Sequence, residues 1–158
     1  MNDIDDAVKE ALKRVDHLIY VSLKYTKTVD VIRNTLLRLL EACDLIIIEG
    51  LEYQKKKKKI KAIPSTPQER ADLLYKVFKK KTVIKQYLEF FHLLRKIKRS
   101  NYNKQGEYRK NVAMIVVDEK YTFLEIDYET LKSYNTKTHN FVNFIREWIK
   151  TGKEQESL

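Results

Sequence analysis

The feature that most limits what this chain can become is an unbroken helical period over residues 28–54, TVDVIRNTLLRLLEACDLIIIEGLEYQ. Its apolar residues fall at Val29, Ile32, Leu36, Leu39, Leu40, Cys43, Ile47 and Leu51. Steps of three and four draw these into one stripe along a helix about 40 Å long. Beyond Ala42, the run Leu45, Ile46, Ile47, Ile48 carries the apolar surface nearly round the helix. A helix of that kind belongs at the centre of a bundle or at a subunit contact. The expected fold is therefore mainly α, a helical bundle of about five helices with a small β-hairpin before the last helix. The surplus apolar surface also predicts a homodimer.

The flanking segments supply the other helices. Over residues 3–25, Val8, Ala11, Leu12, Val15, Leu18, Ile19 and Leu23 form a buried face, and Asp3, Asp5 and Asp6 suit the positive end of a helix. Residues 25–27 make a tight break and Thr28 caps the long helix, so the first two helices run antiparallel. The clearest start signal is Thr66-Pro67-Gln68-Glu69, with Ala71, Leu74, Val77 and Phe78 inward. Thr82 is placed to cap a fourth helix carrying Ile84, Tyr87, Leu88, Phe91, Leu94 and Ile97. Residues 112–117 and 121–126 are β-branched and aromatic around Asp118-Glu119-Lys120 and read as a hairpin, although the turn lacks Gly or Asn. Asp127 caps a last helix with Leu131, Tyr134, Phe141, Ile145, Trp148 and Ile149. With three Gly and two Pro there is little loop chemistry. Residues 1–150 read as one domain and residues 151–158 as a polar, frayed tail.

Chemistry-bearing motifs are sparse. Cys43 is the sole cysteine and lies on the apolar stripe, which predicts a buried thiol in a reducing cytoplasm. His17, His92 and His139 stand on separate helices without metal-ligand spacing, and His92 reads as a histidine at the core edge. The sequence contains neither a Gly-rich phosphate loop nor a GxSxG elbow. No catalytic residue, metal site or cofactor is assigned. The acidic, amphipathic N-terminus is unlike a signal peptide, and no apolar run reaches the roughly 18 residues of a membrane span. The expectation is a cytoplasmic protein without a membrane partner.

Charge is the stronger lead. Lys and Arg number 32 against 22 Asp and Glu, a net charge of +10 that suits a polyanion. The same excess arises in the lysine-rich proteome of a hot or A/T-rich genome, so its distribution has to decide. Residues 55–59 are five consecutive lysines, residues 79–81 three more, and residues 95–110 a basic stretch interleaved with Tyr102 and Tyr108. In an up-and-down bundle the ends of the second and fourth helices meet at one pole, and the end of the third falls opposite. That arrangement brings Lys55, Lys56, Lys57, Lys58, Lys59, Arg95, Lys98, Arg99, Lys104, Arg109 and Lys110 into one RNA-binding surface. Tyr102 and Tyr108 would stack on unpaired bases. Lysine runs at helix ends are also commonly just solvated.

Residues 23–34, LKYTKTVDVIRN, and residues 107–117, EYRKNVAMIVV, joined to helices of this layout, resemble an uncharacterised family of small archaeal helical-bundle proteins. More remotely, the bundle resembles the HEPN superfamily. That resemblance implies an all-helical, often dimeric domain, in many members a metal-independent RNase whose Arg is followed, after four to six intervening residues, by a His. Here Arg109 is followed by Met114 where the shortest spacing places the His. The reading is a non-catalytic RNA- or ribosome-associated protein. The alternatives are a metal-independent RNase in which Arg109 orients the phosphate, or a scaffold or antitoxin-like partner of another protein.

Overall fold

The computed structural model describes residues 3–118 and 120–155; Glu119 of the expected turn and residues 156–158 of the expected tail lie outside the described residues. The first helix, α1 (Asp3–His17), continues through a π turn (Leu18–Ser22) and one last helical turn (Leu23–Tyr25). The long helix α2 spans Val29–Lys56, α3 Pro67–Val77, α4 Lys81–Arg99 and α5 Tyr128–Thr151. Between α4 and α5 lie β1 (Asn101–Gln105), β2 (Ala113–Val117) and β3 (Phe123–Ile126). The fold is mainly α, with five helices and a small antiparallel sheet before the last, in the order β1-β2-β3.

Helix α2 is the axis of the bundle, in contact with α1, α3, α4, α5 and β2. At about 1.5 Å per residue its 28 residues span about 42 Å. Thr28 accepts the Val31 N–H at 3.4 Å and closes its start as the sequence implies. Ile46 and Ile47 are fully buried, and Leu45 and Ile48 half-buried. The surplus apolar surface that motivated a dimer is thus largely taken up inside one chain. Gly50 lets α3 and α5 close onto the axis: a Cβ there would meet Ile145 at 3.3 Å and Leu74 and Trp148 at 3.4 Å.

Helix direction departs from an up-and-down bundle. Arg70 at the start of α3 pairs with Asp44 at 3.1 Å, and Leu74 reaches Gly50, so α3 runs parallel to α2. The cause is the linker 57–66. Ten residues can extend over about 33 Å, enough to travel back along α2 before α3 begins. Ile60 and Ile63 pack against the core on the way. Helix α4 then runs antiparallel to α2, and Arg33 donates to the Lys98 carbonyl at 3.3 Å.

Three local expectations are revised. Thr82 does not cap α4: its N-cap is Lys80, and the Glu154 carboxylate accepts the backbone N–H groups of Lys79 at 3.0 Å and Lys80 at 2.7 Å. A residue of the supposedly frayed tail therefore closes the start of α4. Residues 101–105, expected only as part of a basic stretch between elements, form β1 and pair with all of β2. The β2–β3 turn needs no Gly because Asp118 accepts the Lys120 and Thr122 N–H groups, each at 2.9 Å, and Tyr121 adopts φ +59°. Hydrogen bonds from Thr122 lead in lowering the Asp118 pKa to about 2.

Candidate nucleic-acid interface

The basic residues fall at two poles of α2, grouped differently from the sequence expectation. Lys55, Lys56, Lys57, Lys58 and Lys59 lie at its C-terminal pole, Lys55 to Lys59 all turned to solvent. Lys58 takes φ +59° there, and Lys58 and Lys59 donate back to the carbonyls of Lys55 and Gln54, closing the helix. Lys79 and Lys80 lie at the same pole, tied to Glu154 of the segment after α5. Because α4 is antiparallel to α2, Lys98, Arg99 and the strands after them lie at the N-terminal pole. The expected merger of residues 55–59 with residues 95–110 is therefore corrected. The long return linker reverses α3 and α4 together.

At the N-terminal pole a second stitch matters. The β1–β2 loop, residues 106–112, is pinned to the break between α1 and α2. The Tyr108 N–H donates to the Lys27 carbonyl at 2.6 Å, and the Glu107 carboxylate accepts the Val29 N–H at 3.4 Å. A carboxylate over the first turn of α2 suits the partial positive charge there. Gly106, at φ +65°, lets the loop turn tightly; a Cβ would come within 2.8 Å of Asn111 Oδ1. The loop carries Tyr108 to Lys27 and brings Lys110 into one cleft with Lys24 and Lys27. Tyr25 and Tyr108 are each 78% exposed. Tyr108 also sits at φ +67°, a left-handed conformation that favours Gly.

The named residues divide into available and occupied groups. Lys98, Arg99, Arg109 and Lys110 are exposed, and no carboxylate among the described residues reaches their charges within ion-pair distance. Lys104 is bound to Asp30 at 3.4 Å and Glu107 at 3.9 Å. Arg95 donates to Gln68 at 2.9 Å and leans over Phe91. Tyr102 is corrected as a base platform. In β1 it opposes Val116, on the face that carries the buried residues Met114 and Ile126, and the Arg33 guanidinium covers its ring at 5.7 Å. Strand alternation turned it inward.

Sequence reasoning missed Tyr20, Lys24, Tyr25, Lys27, Arg33 and Tyr128. The stretch LKYTK already showed the mixture of cations and tyrosine found in EYRK. What joins the two is the Tyr108–Lys27 hydrogen bond, across 81 residues. Tyr20, Leu23, Lys24, Lys27, Lys110, Val112 and Tyr128 line a cleft of about 420 Å³ at this junction. On the α2–α4 side, a cleft of about 470 Å³ mixes Arg95, Lys98 and Arg99 with Glu41 and Asp44.

The remaining titratable groups are mostly structural. Cys43 is buried against Thr138 at 4.0 Å, and burial pushes its thiol up to about 12. His92 is half-buried; burial first, then Arg95, holds its imidazole below the ordinary range. Met114, at the position where the HEPN spacing would place a His, is fully buried in β2. Among the described residues, no three His, Cys, Asp or Glu side chains converge to hold a metal ion, and no helix is long and apolar enough to cross a membrane. Comparison with protein-family models, curated proteins and solved structures finds no match.

Proposed function

We propose that the protein is a non-catalytic RNA- or ribosome-associated binding protein whose contact face is the N-terminal pole of α2. The observation that supports this reading most is that exposed Tyr25 and Tyr108 share a pole with Lys98, Arg99, Arg109 and Lys110, cations that form no ion pair with a carboxylate among the described residues, although Lys98 and Arg99 line a cleft with Glu41 and Asp44. Such cations release counterions from a phosphate backbone, and tyrosines supply faces on which unpaired bases stack. Residues 55–59, at the other pole, act as solvated charge. The homodimer stays within this reading, resting now on exposed Tyr121 and Phe123 beside the open end of the sheet rather than on Ile46 and Ile47. Light scattering at micromolar concentration checks it.

The test is fluorescence anisotropy with single-stranded RNA across a salt series. Affinity should fall steeply with salt, and the double variant Arg99→Glu/Arg109→Glu should lose binding. Unchanged affinity in that variant would sink the assignment. Protein that is free of nucleic acid at low salt and captures no RNA would favour a scaffold instead.

One observation favours the RNase alternative. His92, Arg95 and Arg99 recur at three- and four-residue steps on α4, which sets an imidazole on one helix face with two guanidinium groups. RNA cleavage in EDTA that His92→Gln abolishes would establish this second reading.

A further inference from the structure

The cleft at the junction of α1, the β1–β2 loop and α5 has a construction of its own. Its floor is apolar, from Ile19, Leu23 and Val112, all buried. Its walls carry two half-open aromatic rings, Tyr20 at 49% exposure and Tyr128 at 36%. Its rim carries Lys24, Lys27 and Lys110, and no carboxylate belongs to the lining. At about 420 Å³ it falls within the range of small-ligand sites, roughly 300–1,000 Å³.

The local backbone makes this shape. Residues Leu18–Ser22 form a π turn, closed by the Leu23 N–H donating to the Leu18 carbonyl. Such wide turns recur at functional sites because they re-aim side chains without breaking the helix. Here Ile19 and Leu23 stay on the core while Tyr20 and Val21 are left exposed. The rim is held from both sides: the Lys27 ammonium donates to the Lys24 carbonyl, and the Lys27 carbonyl takes the Tyr108 N–H. Tyr128, the first residue of α5, is backed by the Lys132 ammonium at 4.7 Å from its ring centre, which fixes one wall.

We infer that this cleft receives a nucleoside phosphate: one unstacked base held against the exposed rings of Tyr20 and Tyr128, which stand above the buried floor of Ile19, Leu23 and Val112, with its phosphate held by Lys24, Lys27 and Lys110. Three cations without a carboxylate in the lining select an anion, and two exposed aromatic rings suit a planar partner. The RNA-binding reading supplies the strand, since Tyr108 and Arg109 continue the same surface beyond the rim, but the cleft itself does not depend on it. A free mononucleotide carries the same chemistry.

The experiment titrates the full-length protein with single-stranded RNA containing one 2-aminopurine, with the same RNA made abasic at that position, and with free nucleoside monophosphates and orthophosphate. The expected result is quenched 2-aminopurine fluorescence and weaker binding of the abasic strand. Tyr20→Ala should remove the quench and weaken the intact RNA by about tenfold, with little effect on the abasic RNA. Lys110→Glu should weaken both strands, and Tyr20→Phe should retain the quench and so control for folding. Strong RNA binding that ignores the abasic position and Tyr20→Ala overturns the cleft assignment and leaves the RNA-binding reading standing. Nucleoside monophosphates that bind through Tyr20 while RNA does not would support the cleft and overturn the RNA reading. Orthophosphate competing as well as nucleotide removes the base from the proposal, and no binding of any probe overturns both.

Discussion

The two poles of α2 are built from the same residue types and put them to opposite use. At the C-terminal pole most aromatic rings are used in packing, although Tyr75 stays partly exposed beneath Lys81. Trp148 meets Phe78 at 4.4 Å and Tyr53 at 5.1 Å, Phe78 stacks on Phe144, and the lysines remain outside in water. At the N-terminal pole Tyr25 and Tyr108 stand in solvent among cations, and one of them holds a left-handed backbone conformation. Rings that stack on one another stabilise a fold. Exposed rings beside cations contribute little burial to a fold and leave a face that a ligand can meet. Lysine count alone would rank the C-terminal pole first, whereas the RNA-binding reading proposed above rests on the other pole.

The largest effect that would undo this contrast is on stability. Trp148→Ala should cost about 3–5 kcal/mol in chemical denaturation, the usual range for a buried aromatic truncated in a core. Tyr25→Ala should stay within about 0.5 kcal/mol of wild type. Equal losses would mean that the exposed tyrosine is structural after all.

Next comes binding. Arg109→Glu with Lys110→Glu should weaken RNA affinity at least about tenfold, or about 1.4 kcal/mol, whereas glutamine at residues 55–59 should leave it within about threefold. The reverse ranking would move the interface to the other pole. Tyr108→Gly separates stability from binding with a smaller change. Glycine accepts φ +67° without strain, so thermal stability should rise by about 1 kcal/mol while RNA affinity falls. Stability and binding falling together would show that the ring supports the loop.

The smallest effects are in pH dependence, and they carry opposite signs. Glu49, on the C-terminal half of α2, is held above the ordinary carboxylate range by burial, against the pull of Arg146. Its favourable contribution is complete below about pH 4.5 and fades as pH rises through its folded pKa. Glu49→Gln should therefore raise the melting temperature slightly at pH 7, with the advantage gone at pH 4. Asp118, in the exposed β2–β3 turn, is depressed to about 2. Its contribution is present above about pH 4 and is lost as pH falls toward 2. Asp118→Asn should melt earlier than wild type at pH 7 and converge with it near pH 2. Matching slopes for the two variants would contradict the assigned environments.

Much of the core was legible because burial leaves a local trace. Val29, Ile32, Leu36, Leu39, Cys43, Ile47 and Leu51 are buried as their spacing requires, and Leu40 lies half-buried at the stripe's edge. Thr66 accepts the Glu69 N–H at 3.2 Å and Asp127 the Thr130 N–H at 2.9 Å, both caps visible as short patterns. Thr82 misled because a cap can come from a distant residue, and Glu154 supplies it across 74 residues. Tyr102 misled because basic neighbours hid a strand whose alternation points the ring at the helices.

The candidate interface was half legible. Charge and aromatic interleaving mark Arg99, Tyr108, Arg109 and Lys110. They do not mark Lys24, Tyr25 and Lys27, because nothing local identifies a helix break as the seat of a loop 81 residues away.

The sequence alone determined the helices, the caps Thr28, Thr66 and Asp127, the buried thiol and the β2–β3 hairpin, since period, cap and β-branching act over a few residues. Tertiary structure decided which helix ends share a pole and which tyrosines stay in water. The direction taken by the linker 57–66 depends on Ile60 and Ile63 finding a surface that exists only once α2 is packed. That one reversal set the charge map of the molecule.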